Sequence, residues 1–527
     1  MKHLWQGLIG GVLLPLGVWW PGAAQAAQTI LFNFGPLEFT IAVASLEAYA
    51  ATGRIAPDFR DVASRLNAEQ LADLRFLLTQ RADLDPVTVS QFLYSPQGEV
   101  MLRQLGELIQ TRQRVSGFYA LRSALILAAA DQQTGLTALN VLDKFPVDGL
   151  RINSALAFEM VNLVSRQIEA TERAIAIVEA AANGINEEEI DLPYDLRIPG
   201  PLTHQKRTIR WRDEARQRNL VVDLYLPEEN LRGDAPVLVI SHGLGSNRQT
   251  FAYLAEHLVS YGFAVVVPEH PGSNAAQLMA LATGLAREIT PPQELVDRPL
   301  DIQFILDQLE GEYGDRLNLQ RVGIVGQSFG AYTALALAGA EINGSGLDQV
   351  CPNALFALNL SLVLQCGALR ISAVPPLRDE RIQAVIAINP LMSQIFAPAQ
   401  LGELEIPVMI VTASADTVTP ALEEQIIPFT TLKMSDRYLV LLQRGTHFST
   451  LGATDDDADL PPAVLGPDPQ IAQAYTRSLS LAFFGAYIAN QPDYQNYLGP
   501  RYLNQISQTA MPITVVRQLD ASQLRRR

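Results

Sequence analysis

The chain has 527 residues, of which 48% are hydrophobic and 18% charged, a globular composition long enough for two or three domains with a large core. Its formal net charge of −16 argues against nucleic acid as a partner and gives no general attraction to anionic lipid. The terminal Arg525-Arg526-Arg527 is too short to change that balance.

Residues 1–26 are expected to be an export signal. Lys2 supplies a positive start, Leu8 to Trp20 is mostly apolar, and Ala24-Gln25-Ala26 is a small-residue cleavage pattern. The destination is then the periplasm, the thylakoid lumen or the medium. The alternative is an uncleaved membrane anchor, although the apolar run is short for a span. No later stretch is long enough to cross a bilayer.

Residues 27 to about 185 read as an all-α domain. Phe39–Ala51, ended by Gly53, then Asp58–Leu66, Ala68–Thr79, Thr88–Leu93 and Gln97–Thr111 carry apolar residues at helical spacing, with Ser95-Pro96 as a break. Phe118–Ala130, Gly135–Leu142 and Ile152–Ala182 continue the pattern. The segment holds no catalytic constellation. It reads as a cap, a partner-binding module, a folding aid or a stabilising prodomain, and any protein partner is left open. Glu187-Glu188-Glu189 opens a linker, expected over 186–204, which Pro193, Pro199 and Pro201 keep extended.

A second domain is expected over 205–527. Lys206–Trp211 and Leu220–Leu226 flank a polar turn and predict an antiparallel hairpin. Short apolar strands then alternate with helices. Strands are expected at Val237–Ile240, Ala264–Val267, Val322–Val325, Ile382–Ile388, Val408–Thr412 and Tyr438–Leu442. Helices are expected at Thr250–Tyr261, Arg298–Leu309 and Ile471–Ala489. Strands buried on both faces and joined by helices make a mostly parallel sheet, flanked by helices. A hairpin followed by such a series is the order of the α/β-hydrolase fold.

Between the Val322–Val325 strand and the next helix stands Gly326-Gln327-Ser328-Phe329-Gly330. A Gly-x-Ser-x-Gly turn in that context lifts its serine to the end of the sheet on a sharp, strained backbone. A serine hydroxyl needs a base, and the base needs a carboxylate to orient it. In this fold the order is Ser, Asp or Glu, then His. Of the six histidines (3, 204, 242, 257, 270 and 447) only His447 follows Ser328. It lies in the loop after the Tyr438–Leu442 strand, where a base belongs. Asp416 follows the Val408–Thr412 strand and is the acid that leaves a strand end at the right edge; it could equally be a helix cap. Asp379, Glu380, Glu403, Glu405 and Asp436 precede their strands and would face the wrong end.

The backbone N–H of Phe329 is one expected oxyanion donor. The other is that of Leu244 in Ser241-His242-Gly243-Leu244-Gly245-Ser246, where glycines let the chain curl. His242 is read as a structural hydrogen-bonding residue. This chemistry needs no cofactor and no metal. Cys351 and Cys366 are the only cysteines; in an exported protein they can pair, closing a loop that contributes on the order of 3 kcal/mol. They lie in a long insertion, 339–381, read as a lid, an acyl-binding wall or added core. Asp455-Asp456-Asp457 with Asp459 reads as a solvated loop, lacking the glycine and glutamate of a calcium loop.

Ser-His-Gly-Leu-Gly-Ser-Asn (241–247), Arg298-Pro299-Leu300-Asp301 and Gly-Gln-Ser-Phe-Gly (326–330) resemble the platelet-activating-factor acetylhydrolase and dienelactone-hydrolase-like group of α/β-hydrolases, over about residues 205–450. The resemblance implies Ser328 as nucleophile and the backbones of Leu244 and Phe329 as oxyanion donors. It departs in one respect. Those acetylhydrolases carry their acid after the strand that follows the elbow helix, and here that strand ends in Asn389-Pro390. An acid one strand later, at Asp416, is commoner in the wider fold, which supports the triad but weakens transfer of a phospholipid substrate. Residues 27–185 resemble an N-terminal domain of unknown function on exported cyanobacterial hydrolases. The combined expectation is an exported serine hydrolase of carboxylic esters, with short-acyl lipids or phospholipids as the implied class and transient contact with a membrane surface. Two alternatives stay open: a peptidase of the same fold, and a catalytically silent scaffold that works through its helical domain.

Overall fold

The computed structural model describes residues 28–34, 37–184, 191–228, 235–453 and 462–524. The expected export signal, the Glu187–Glu189 run, the Asp455–Asp459 loop and the terminal arginines lie outside the described residues. Among the described residues, no helix is long and apolar enough to cross a membrane.

The chain forms two compact units. One comprises residues up to 86 together with 105–154, the other 87–104 together with 155–527. They divide elsewhere than at residues 186–204. The long helix Ser154–Asn183 is the reason, since its Ala174, Val178 and Ala182 are buried in the core of the larger unit.

The smaller unit corrects the expectation of an all-α domain. It holds a four-stranded sheet in the order Leu37–Ala42, Thr29–Phe34, Gly149–Ile152, Ile109–Thr111. The first two strands are antiparallel, with Phe32 opposite Phe39 and their rings stacked at 5.5 Å. Phe39–Ala42 therefore belongs to a strand, and the helix begins at Val43 and ends at Thr52, with Gly53 at φ 74° closing it. Short apolar runs satisfy both periodicities, and β-branched residues such as Ile30, Thr40 and Ile41 favour the strand. Arg151 ties two strands by donating to Asn33 at 2.6 Å and Glu38 at 2.7 Å.

The larger unit is built on a nine-stranded sheet. In chain order its strands are β1 (His204–Asp213), β2 (Arg218–Pro227), β3 (Ala235–Ser241), β4 (Ala264–Pro268), β5 (Leu317–Gln327), β6 (Ile382–Ile388), β7 (Val408–Ala413), β8 (Arg437–Leu442) and β9 (Ile513–Val516). Across the sheet they run β9-β8-β7-β6-β5-β3-β4-β2-β1. The six strands from β3 to β8 are parallel, while β1, β2 and the edge strand β9 add antiparallel pairs.

Alternation along these apolar strands supplies two cores. Val237, Val239, Ile324, Val385, Ile410 and Leu439 face helices α2 (Glu294–Tyr313) and α3 (Phe329–Leu337). Leu238, Ile240, Val325, Ile386, Met409 and Val440 face α1 (Ala252–Val259) and α4 (Pro469–Tyr487). Burial on both faces is what a parallel sheet requires. Because β3, β5, β7 and β8 run parallel, the loops leaving them emerge at one edge, which is where the chemistry-bearing residues stand.

The insertion after α3 is fastened rather than free. Cys351 and Cys366 are bonded, with Cα atoms 5.7 Å apart. Glu424, fully buried in a π-helical turn Leu422–Ile426, accepts bonds from Asn359 (2.5 Å), Ser361 (2.9 Å) and Gln365 (2.8 Å) of the insertion. It also accepts from the Met392 and Ser393 amides and the Ser393 hydroxyl. One carboxylate thus joins the insertion to the segments following β6 and β7. Removing it takes the acceptor from the Asn359 side-chain amide and the Met392 and Ser393 amides, while Ser361 still donates to Asn359 and Gln365 to Ser361, and each bond to a charged group is worth about 1.5–3 kcal/mol. Glu424→Ala is therefore expected to destabilise the protein by at least about 3 kcal/mol. Urea unfolding checks this, and a midpoint within error of wild type would show that the insertion does not depend on Glu424.

Candidate active site

β5 ends at Gln327 and α3 begins at Phe329, so Ser328 alone makes the turn, at φ 55° and ψ −115°. A non-glycine residue pays for such a backbone with strain that its surroundings must hold in place. Two glycines allow it. A Cβ on Gly326 would lie 2.1 Å from the Gly330 carbonyl oxygen, and one on Gly330 would lie 1.9 Å from that of Ser241. The Ser328 amide donates to Ile388 O at 2.8 Å, which fixes the turn to the end of β6.

Asp416 and His447 leave the ends of β7 and β8. Asp416 Oδ2 lies 2.7 Å from His447 Nδ1. Its other oxygen accepts from the Val418 and Thr419 amides at 2.8 and 2.7 Å. The side chain thus orients the imidazole and also closes its own turn. The Thr419 hydroxyl donates to Asp416 Oδ2 at 2.8 Å and lies 3.2 Å from His447 Nδ1. With Nδ1 engaged, Nε2 is the ring nitrogen left for a substrate-side partner. The Ala415 amide donates to Gly445 O at 2.8 Å, tying the two loops together. Gln327, next to the serine, donates to His447 O at 3.1 Å. Ser328, Asp416 and His447 are all buried. Among the described residues, no hydrogen bond joins Ser328 Oγ to His447; such bonds are often long before substrate arrives.

The loop after β3 lies against the elbow through the Gly330–Ser241 contact. A Cβ on Gly243 would sit 2.4 Å from Gln327 Oε1, so any larger residue there would displace the Gln327 side chain. Gly245, at φ 75°, donates to Ser273 O at 2.8 Å. Among the described residues, the amides of Leu244 and Phe329 donate to no protein acceptor.

Two histidines that precede the serine brace this loop. His242 donates from Nδ1 to Gly243 O at 2.8 Å, and its Nε2 accepts the His270 amide at 3.1 Å. His270 donates from Nδ1 to Asp301 Oδ2 at 3.2 Å, and its Nε2 accepts from Ser241 Oγ at 3.1 Å. Burial raises the Asp301 carboxyl, opposed by Arg218 and Arg216. Three bonds of 2.8 Å from those arginines favour its ionised form. Asn389, at φ 46°, takes the place after β6 where an acid could stand; its side chain accepts the Ala413 amide at 3.0 Å instead. Among the described residues, no cluster of His, Cys, Asp or Glu could hold a metal ion.

A sequence profile described as an alpha/beta hydrolase family matches residues 237–502, more than half of the chain. The chain belongs to the alpha/beta hydrolase family. A second profile, described as an alpha/beta hydrolase of unknown function (DUF1400), matches residues 26–153, a stretch that contains none of Ser328, Asp416 and His447. No curated protein matches the chain. In this family member, sequence reasoning missed Thr419, His270 and the brace through Gln327. Thr419 carried a signal in Asp416-Thr417-Val418-Thr419, since a hydroxyl three residues after a turn aspartate can return to it.

The buried histidines set a pH response. Burial, with Arg298 nearby, holds His242 and His270 well below the ordinary imidazole range. Burial pushes His257 down to about 4. The unfolded chain protonates these three rings near pH 6.5, whereas the folded chain leaves them neutral. Stability is therefore full above that pH and falls as the pH drops below it. Urea midpoints are expected to decrease from pH 7.5 to 5.5, with the His242 and His270 ring resonances unmoved. A midpoint flat over that interval would contradict the assignment.

Proposed function

We propose that this alpha/beta hydrolase is an exported serine esterase. The observation that supports it most is the alignment of a strained serine elbow with an Asp–His pair that Gln327 ties to it. Ser328 Oγ attacks the ester carbonyl as His447 Nε2 accepts its proton. The C–O bond to the alcohol breaks, and the imidazolium returns the proton to the leaving alkoxide. Asp416 keeps Nδ1 protonated and stabilises the imidazolium. The amides of Leu244 and Phe329 receive the oxyanion. Water, deprotonated by His447, then cleaves the acyl-enzyme and restores Ser328. Carboxylic esters are the substrate class, and the motif resemblance to the acetylhydrolase group favours short acyl chains on a lipid or a small alcohol.

The mature protein is expected to be labelled by a fluorophosphonate probe, and Ser328→Ala and His447→Ala to lose the label. Asp416→Asn is expected to lower p-nitrophenyl acetate hydrolysis by about 10^4-fold, because the neutral amide favours the wrong imidazole tautomer. A folded wild-type protein that takes no label, or a label that survives Ser328→Ala, would sink the reading.

A further inference from the structure

Arg298 is a fully buried guanidinium in α2. It donates from Nη2 to His242 O, in the loop after β3, and to Ser241 Oγ at 3.3 Å. It donates from Nη1 to Ser273 Oγ at 3.1 Å. Its plane covers the Phe329 ring, with Cζ 4.4 Å from the ring centroid. Among the described residues, it forms no ion pair with a carboxylate; Ser273 relays it to Glu294 Oε2 at 3.0 Å. Burial lowers its pKa to about 9, which still leaves it charged at pH 7.

Its helix is registered to the elbow. Pro299 has no N–H to give Leu295 O, four residues earlier. The Tyr332 hydroxyl on α3 donates to that carbonyl at 2.7 Å instead. The residue after Arg298 thus creates the acceptor by which α2 grips α3.

We propose that Arg298 is the positioning residue of the oxyanion hole. It holds the loop that carries Leu244 by the His242 carbonyl and packs on the side chain of Phe329, so one group sets both amides that would receive the oxyanion. Its charge, without a directly paired carboxylate in a poorly polarisable interior, favours negative charge developing beside it. The inference rests on the esterase reading above.

The test uses Arg298→Lys and Arg298→Met, assayed with p-nitrophenyl acetate, a trifluoromethyl ketone that adds to Ser328 as an oxyanion, and the matching trifluoromethyl alcohol that cannot add. Arg298→Met is expected to lower kcat by about 10^2–10^3-fold, the scale of losing one oxyanion donor. KM should change little, ketone affinity should fall in parallel with kcat, and alcohol affinity should not move. Arg298→Lys, which keeps the charge but not the fork, should fall between. Ser241→Ala keeps the guanidinium but removes its bond to Ser241 Oγ together with the Ser241–His270 bond; it should lower kcat by about tenfold with the same selectivity, and it stands in if Arg298→Met does not fold. Wild-type kcat and ketone affinity in the folded variants overturn the proposal, as does equal weakening of ketone and alcohol, which marks a merely structural role. A wild-type protein that neither hydrolyses the ester nor binds the ketone overturns the esterase reading and this proposal with it. An active wild type with unaffected variants overturns this proposal alone.

Discussion

The contact between Gly330 and the Ser241 carbonyl is the constraint on which the rest of the site depends. Any Cβ there would lie 1.9 Å from that oxygen, so α3 can rest against the end of β3 only because the residue is glycine. That approach sets the loop after β3 beside the elbow, and the elbow holds Ser328 at a backbone angle it would not adopt alone. Gly326 extends the same logic one turn back, since its side is filled by Gly330 itself. The strain at Ser328 is held by its amide bond to β6 and by the apolar burial of α3 on the sheet.

Such a constraint is legible in sequence because it is local. Gly-x-Ser-x-Gly between a strand and a helix reports its own geometry, and the order of elements confines the base to His447. The parallel strands could be read from apolar runs of the right length, which need both faces covered. The first two strands of the smaller unit could not, because Phe39–Ala42 continues without a break into a helix of similar composition and six residues do not separate the two periods. The division between units was hidden for a different reason. A proline-rich segment looks like a boundary, but Ala174, Val178 and Ala182 are small apolar residues on one face of a helix, and nothing local tells which core they enter.

The buried polar network was illegible because its members are far apart in the chain. Arg216 comes from the turn joining β1 to β2 and Arg218 opens β2, His270 follows β4, and Asp297, Arg298 and Asp301 belong to α2. Each looks like a surface charge or a lone histidine when read alone. Arg216 and Arg218 together face Glu294, Asp297 and Asp301. Burying such groups is costly unless each is paired and hydrogen-bonded. Arg381, outside this network, shows the ordinary pattern, clamped by Asp379 and Asp307 at the surface side of the same unit.

The direction of the hydrogen bonds in that network carries a further consequence. Asp301 is an acceptor only, so His270 must donate to it from Nδ1 and accept at Nε2. Ser241 must then donate to His270, which leaves its lone pairs for the Arg298 guanidinium. His242 is fixed independently, because its Nε2 faces an amide that can only donate. Every proton between α2 and the loop after β3 therefore has one arrangement. A loop whose orienting groups have a single tautomer and a single donor order has few alternative positions, and pre-set donors cost no reorganisation when negative charge appears. The acidic partners lie at the far end of this chain, beyond His270 and beyond Ser273, and the cation at the near end. A site that stabilises an anion needs that polarity, and reversing it would require moving Asp301 and Arg298 past one another within a single helical turn.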